Sequence, residues 1–112
     1  MSDLVQKRCK PCEGGAPPLK REEIAALMPQ LAARWTLAAD GKSIAAQFEF
    51  KNYYQTQAFV NAVAWLAHRE DHHPDISFGY KTARVSYWTH SVDGLSENDF
   101  ICAAKVDALL RE

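Results

Sequence analysis

The sequence predicts an α+β fold: a four-stranded antiparallel sheet with three helices on one face, in the order α-β-β-α-β-β-α. Two observations carry this prediction. Two pairs of alternating apolar segments each stand close together in the chain, as hairpins do, and adjacent hairpins give an antiparallel sheet. Segments with helical spacing of apolar residues lie before, between and after them.

Residues 1–18 read as an irregular N-terminal tail, because "CEGGAPPL" is rich in glycine and proline and has no periodicity. Residues 19–112 form the single domain. A short helix is expected over about Lys20 to Met28, where Ile24, Leu27 and Met28 share a face, and Pro29 ends or kinks it. "QLAAR" adds a further turn. "RWTLAADGKSIAAQFEF" is a hairpin turned at Asp40-Gly41, and Ile44, Ala46, Phe48 and Phe50 alternate on one face of its second strand. Asn52 caps a long helix to about Glu70, with Phe59, Val63 and Leu66 along its apolar stripe. "ISFGY" and "ARVSYWTH" form the second hairpin. On the latter, Val85, Tyr87 and Thr89 point one way and Ser86, Trp88 and His90 the other. Ser96 and Asp99 have capping-box spacing at the start of the last helix, which runs from about Glu97 to Leu110 and buries Phe100, Ile101, Ala104 and Ala108.

A chain of 112 residues suggests one domain with one core. Its net charge of −1 offers no basic excess for nucleic acid or an anionic membrane surface. No apolar run is long enough to span a bilayer, and "MSDLVQKRCK" has no signal-peptide core, so a cytoplasmic protein is expected. Three cysteines, an odd number, argue against a closed disulfide framework. "CKPC", Cys9 to Cys12, is half a zinc ribbon or a redox pair by pattern. Pro11, Gly14 and Gly15 argue against the helix that a redox pair opens, and it reads as a tail feature.

The segment "HREDHHPD", residues 68–75, holds three of the four histidines and three carboxylates. His68 and His72 share a helix face, and Pro74 forces His73 out of the helical region, so the imidazoles gather at a helix-to-strand corner. Three chemistries fit. The first is a solvated helix end, where the dipole favours cations. The second is a metal site using His68, His72 and Glu70 or Asp71, although Arg69 stands where an H-E-x-x-H motif has its glutamate. The third is acid–base catalysis without metal or cofactor, for which imidazole is suited near neutral pH. Trp88, on the His90 face of its strand, is the candidate pocket wall. Ser86 and Trp88 together also suit a subunit contact.

The chain resembles the pterin-4a-carbinolamine dehydratases. The resemblance rests on His72-His73-Pro74, followed by Tyr80 after five residues, His90 after nine more and Asp99 after eight more. Trp35, "FEFKNYYQTQAFV" and "THSVDGLSENDF" support it, over about residues 19–110. It implies a small pterin substrate, 4a-hydroxytetrahydrobiopterin, dehydrated to quinonoid dihydrobiopterin in the recycling of tetrahydrobiopterin for aromatic amino acid hydroxylases. It implies that His72, His73 and His90 are catalytic. Trp88, Asp71 and Ser86 are the candidate substrate contacts. His68 stands where the family often has Glu. A homo-oligomer, dimer or tetramer, is expected from the small core and the sheet edges. The alternative from another class is a dimerisation or coactivator module that assists a partner protein.

Overall fold

The computed structural model describes residues 3–11 and 17–110. Cys12, Gly14 and Gly15, and with them half of the "CKPC" reading, lie outside the described residues.

The expected order of elements is present. Helix α1 covers Arg21–Leu27, and Pro29 sits at the start of a 3-10 turn, Met28–Gln30, which ends it. A further turn follows within "QLAAR", where the Trp35 amide donates to the Ala32 carbonyl at 3.1 Å. Strand β1 is only Thr36–Leu37 and β2 is Ile44–Glu49, joined through Gly41 at φ +72°. Helix α2 covers Tyr53–Glu70, and the Asn52 side chain accepts the Gln55 amide as predicted. Strands β3, Asp75–Phe78, and β4, Thr82–Tyr87, precede helix α3, Glu97–Leu109. All pairings are antiparallel and the strand order is β1-β2-β4-β3. Ile44, Ala46, Phe48, Ala83, Val85 and Tyr87 project from the two central strands into the core beneath α2 and α3. No helix among the described residues is long and apolar enough to cross a membrane.

Trp35, just ahead of β1, is buried in the core. Its indole N–H donates to Asp107 Oδ1 at 2.9 Å, and Asp107 Oδ2 accepts the Ala32 amide at 3.1 Å. One carboxylate on α3 thereby holds the connection between α1 and β1. β3 starts one residue earlier than expected and stops before Gly79, whose amide bonds the Thr82 carbonyl to make the turn.

Two departures shape the site. The strand expected to run through His90 ends at Tyr87. Tyr87 faces Ile44, the first residue of β2, so nothing remains in the ladder to pair with Trp88–His90. The chain folds back instead. Thr89 and Gly94 form an isolated bridge around the 3-10 turn His90–Val92, and Asp93 takes φ +51° to close it. Gly94 is packed so closely that an added Cβ would stand 2.9 Å from Pro18.

The other departure is α3. A one-sided apolar stripe was expected, yet every residue from Asn98 to Ala104 is buried, whereas Ala108 is only half-buried. The cause is the N-terminal segment. A 3-10 turn, Leu4–Gln6, lays Leu4 into the core on the far side of α3, and Lys105 Nζ donates to the Val5 carbonyl. Residues 7–10 then continue as a strap across the end of α2. The Cys9 amide donates to Glu70 Oε1 at 2.9 Å, and Arg8 Nε lies 3.0 Å from Glu70 Oε2. Burial works to raise the Glu70 carboxyl, but the Cys9 amide and the charges of Lys105 and Arg8 outweigh it, leaving it below its ordinary 4.5.

Both anchors of the strap are testable. Leu4→Ala should cost about 2–5 kcal/mol in urea denaturation, as core truncations do, whereas Leu37→Ala, at an exposed position, should change stability by less than about 0.5 kcal/mol. Equal effects would show that Leu4 is not part of the core. The depressed folded value of Glu70 makes its contribution complete above the unfolded value near 4.5 and lost as pH falls through the folded value. Glu70→Gln should therefore be less stable than the parent at pH 7, with the gap closing below pH 4.5. A gap of constant size down to pH 3 would contradict this role (about one and a half units below the unfolded value).

Candidate active site

The end of α2 is built to stop where it does. Asp71 adopts φ +53°, a left-handed conformation that Asp tolerates better than most side chains. The His72 amide then bonds back to the Ala67 carbonyl at 3.1 Å. Pro74 holds His73 extended, and β3 begins at once. His72 and His73, adjacent in sequence, thus face different neighbours.

His72 points inward. Its ring lies nearly parallel to that of Tyr87, 5.8 Å away and 13° apart, and its Nε2 stands 2.6 Å from Asp99 Oδ1. Asp99 is fully buried. A carboxylate in such a place is costly unless hydrogen-bonded, and this one has three donors. Besides His72, Oδ2 accepts from the Thr89 hydroxyl at 2.8 Å and from the Ser96 amide at 2.9 Å. The Thr89 hydroxyl has a single hydrogen, given to Asp99, so the 2.7 Å contact between Thr89 and Ser96 has the Ser96 hydroxyl as donor. A carboxylate only accepts, so the hydrogen on the neutral His72 ring belongs on Nε2 and the lone pair on Nδ1.

His73 and His90 are exposed. Their ring centroids are 6.2 Å apart, and His90 stacks on Trp88 at 3.8 Å and 28°. His72, His73, Trp88 and His90 border one cavity of about 580 Å³. The strap residues Cys9 and Lys10, with Pro11 after them, supply one wall, and Asp71, Glu70 and Asn98 also border it. Of the residues singled out in the sequence, His72, His73, His90, Trp88 and Asp71 are thus brought together. Ser86 is not among those lining this cavity. It sits in mid-strand, opposite Ala45 on one side and Asp75 on the other. Tyr80 lies on the exposed turn between β3 and β4, with its carbonyl accepting from the buried Thr56 hydroxyl.

The set His68, His72 and Glu70 or Asp71 is not gathered around one point. The His68 ring rests on Trp65 at 5.1 Å, Glu70 is turned to the strap, and among the described residues no three His, Cys, Asp or Glu side chains are placed to hold a metal ion. The sequence marks Asp99 as a helix cap within a spaced pattern, and nothing in it joins Asp99 to His72. Thr89, Asn98 and the strap were missed altogether. The one available signal for Asp99 was that a capping residue coincided with the last position of that pattern.

Residues 17–109 match the family model described as pterin 4 alpha carbinolamine dehydratase. A protein of Nitrosomonas eutropha, provisionally named pterin-4-alpha-carbinolamine dehydratase, is 62% identical over 108 residues, covering 96% of this chain and 94% of that one. A Legionella pneumophila protein with the same provisional name is 51% identical over 109 residues, covering 97% and 96%. Among solved structures, a transcriptional coactivator/pterin dehydratase from Brucella melitensis superposes with a TM-score of 0.79 at 28% identity, covering 84% of this chain and 99% of that one. A pterin dehydratase-like protein described as a RuBisCO assembly factor in the alpha-carboxysome gives 0.61 at 29% identity, covering 70% and 90%. The chain belongs to the pterin-4a-carbinolamine dehydratase family.

Proposed function

We propose that this protein dehydrates 4a-hydroxytetrahydrobiopterin to quinonoid dihydrobiopterin and water, in tetrahydrobiopterin recycling for aromatic amino acid hydroxylation, by histidine acid–base catalysis. Family membership supports the substrate class. The observation that carries the chemistry is the His72–Asp99 pair set in the wall of a cavity that also presents His73 and His90.

The reaction moves two protons. The C4a–O bond breaks as the hydroxyl takes a proton and leaves as water, and a ring N–H gives up its proton as the quinonoid system forms. His72 suits the second task. With Nε2 engaged by Asp99, only Nδ1 is left to exchange a proton with a bound ring, and in the neutral ring Nδ1 is an acceptor. Asp99 acts as a positioning residue that fixes the tautomer and the ring plane, as the buried carboxylate does in a catalytic triad. His90, exposed to the cavity and held flat on Trp88, delivers the proton to the departing hydroxyl. His73 orients the pterin, with Asp71 and Trp88 as further contacts.

The assignment is read out by stopped-flow dehydration of 4a-hydroxytetrahydropterin generated in the cell. His72→Ala and His90→Ala should each lower kcat by about 10²–10⁴-fold with little change in KM. His73→Ala should chiefly raise KM, because a positioning contact is present in ground and transition states alike. Failure of the wild-type protein to accelerate dehydration would remove the activity. Undiminished kcat in both His72→Ala and His90→Ala, with folding verified by circular dichroism, would remove the mechanism.

A further inference from the structure

The two described cysteines are 93 positions apart in the chain, yet their sulfurs lie 3.4 Å from each other, Cys9 on the strap and Cys102 in α3. Nothing in the dehydration chemistry uses them. The contact is held from several directions. The Cys9 amide is bonded to Glu70. Next to it, the Lys10 amide donates to Asn98 Oδ1 at 3.0 Å, and Asn98 Nδ2 donates to the Lys10 carbonyl at 2.6 Å. Asn98 is one turn before Cys102 on α3, so the strap is fastened to the same helix that carries the second thiol. A disulfide needs about 2.05 Å between sulfurs, so little over an ångström of approach separates the observed contact from the bond.

The two thiols differ in access. Cys9 is partly exposed and borders the 580 Å³ cavity, whereas Cys102 is fully buried. We propose that Cys9 and Cys102 are a redox-modification site: a hydroperoxide reaching Cys9 through the cavity oxidises it, and Cys102 resolves the product as an intramolecular disulfide that locks the strap onto α3. In the first step the Cys9 sulfur attacks one peroxide oxygen. The O–O bond breaks, an alcohol or water departs with the thiol's proton, and Cys9 becomes a sulfenic acid. In the second, the Cys102 sulfur attacks that of Cys9. The S–S bond forms, the S–O bond breaks, and hydroxide leaves with the Cys102 proton as water. Two thiols lose one electron each, and the peroxide bond takes both. Cys9, the accessible one of the two, is therefore the thiol that meets the oxidant. The proposal needs no pterin and stands independently of the dehydratase reading.

The full chain treated with stoichiometric hydrogen peroxide, then alkylated under denaturing conditions, should lose two hydrogens and keep one alkylatable thiol of its three. Peptide mapping should find Cys9 joined to Cys102. The link should persist in Cys12→Ser. In Cys102→Ser it should be absent, with a sulfenic acid trapped on Cys9 by dimedone. The oxidised protein should melt at least about 5 °C above the reduced one, because a cross-link over so long a stretch of chain restricts the unfolded state. A Cys9–Cys12 bridge as the main product would overturn the proposal. So would three alkylatable thiols at a peroxide dose that oxidises the unfolded chain.

Discussion

The 2.6 Å contact between His72 Nε2 and the buried Asp99 carboxylate is the constraint on which the rest of the molecule depends. It joins the end of α2 to the beginning of α3, and its second oxygen draws in Thr89 from the segment after β4. A carboxylate with no exposure has to be satisfied by donors held in place, and each donor comes from a different local device. The helix end at Asp71 supplies His72. The fold-back between Thr89 and Gly94 supplies the hydroxyl. The capping geometry of Ser96 supplies the amide. Loss of any one of these would leave a buried charge short of a partner, which links the stability of the corner to the orientation of its imidazole.

Much of the fold was legible because the determinants were local. Asn52 reads as a cap and is one, Asp40-Gly41 reads as a turn and is one, and Pro29 ends α1 as its missing N–H requires. The strand order β1-β2-β4-β3 was not, since the pairing of β2 with β4 is between distant segments. The overlong reading of β4 has the same origin. "ARVSYWTH" alternates through to His90, but a strand lasts only as long as its neighbour, and β2 begins opposite Tyr87. That early end releases Trp88 and His90 from the sheet, and both border the cavity.

The site was legible as a set of residue types and not as a set of contacts. His72-His73-Pro74 announces a corner, and the spaced His90 and Asp99 complete a recognisable pattern. Nothing in one-dimensional spacing says that Asp99 meets His72 rather than solvent, or that Glu70 faces a segment some sixty positions earlier, as its bond to Cys9 shows. The strap is the part of the site that the sequence signals least. Its composition reads as a tail, and the family match begins only at residue 17, yet residues 9–11 border the cavity. A single apolar side chain, Leu4, and a few hydrogen bonds to Glu70 and Asn98 are enough to bring it there, and signals so sparse carry no periodicity.

Asp99 holds the His72 ring in one tautomer, and that state is directly observable. Nitrogen-15 NMR of the histidine side chains, at a pH where His72 is neutral, reports which ring nitrogen carries the hydrogen. The account predicts a single tautomer for His72 with the hydrogen on Nε2 and a bare Nδ1, a preference that Asp99→Asn abolishes. A His72 ring protonated at Nδ1, or one averaging between tautomers as exposed imidazoles do, would contradict it.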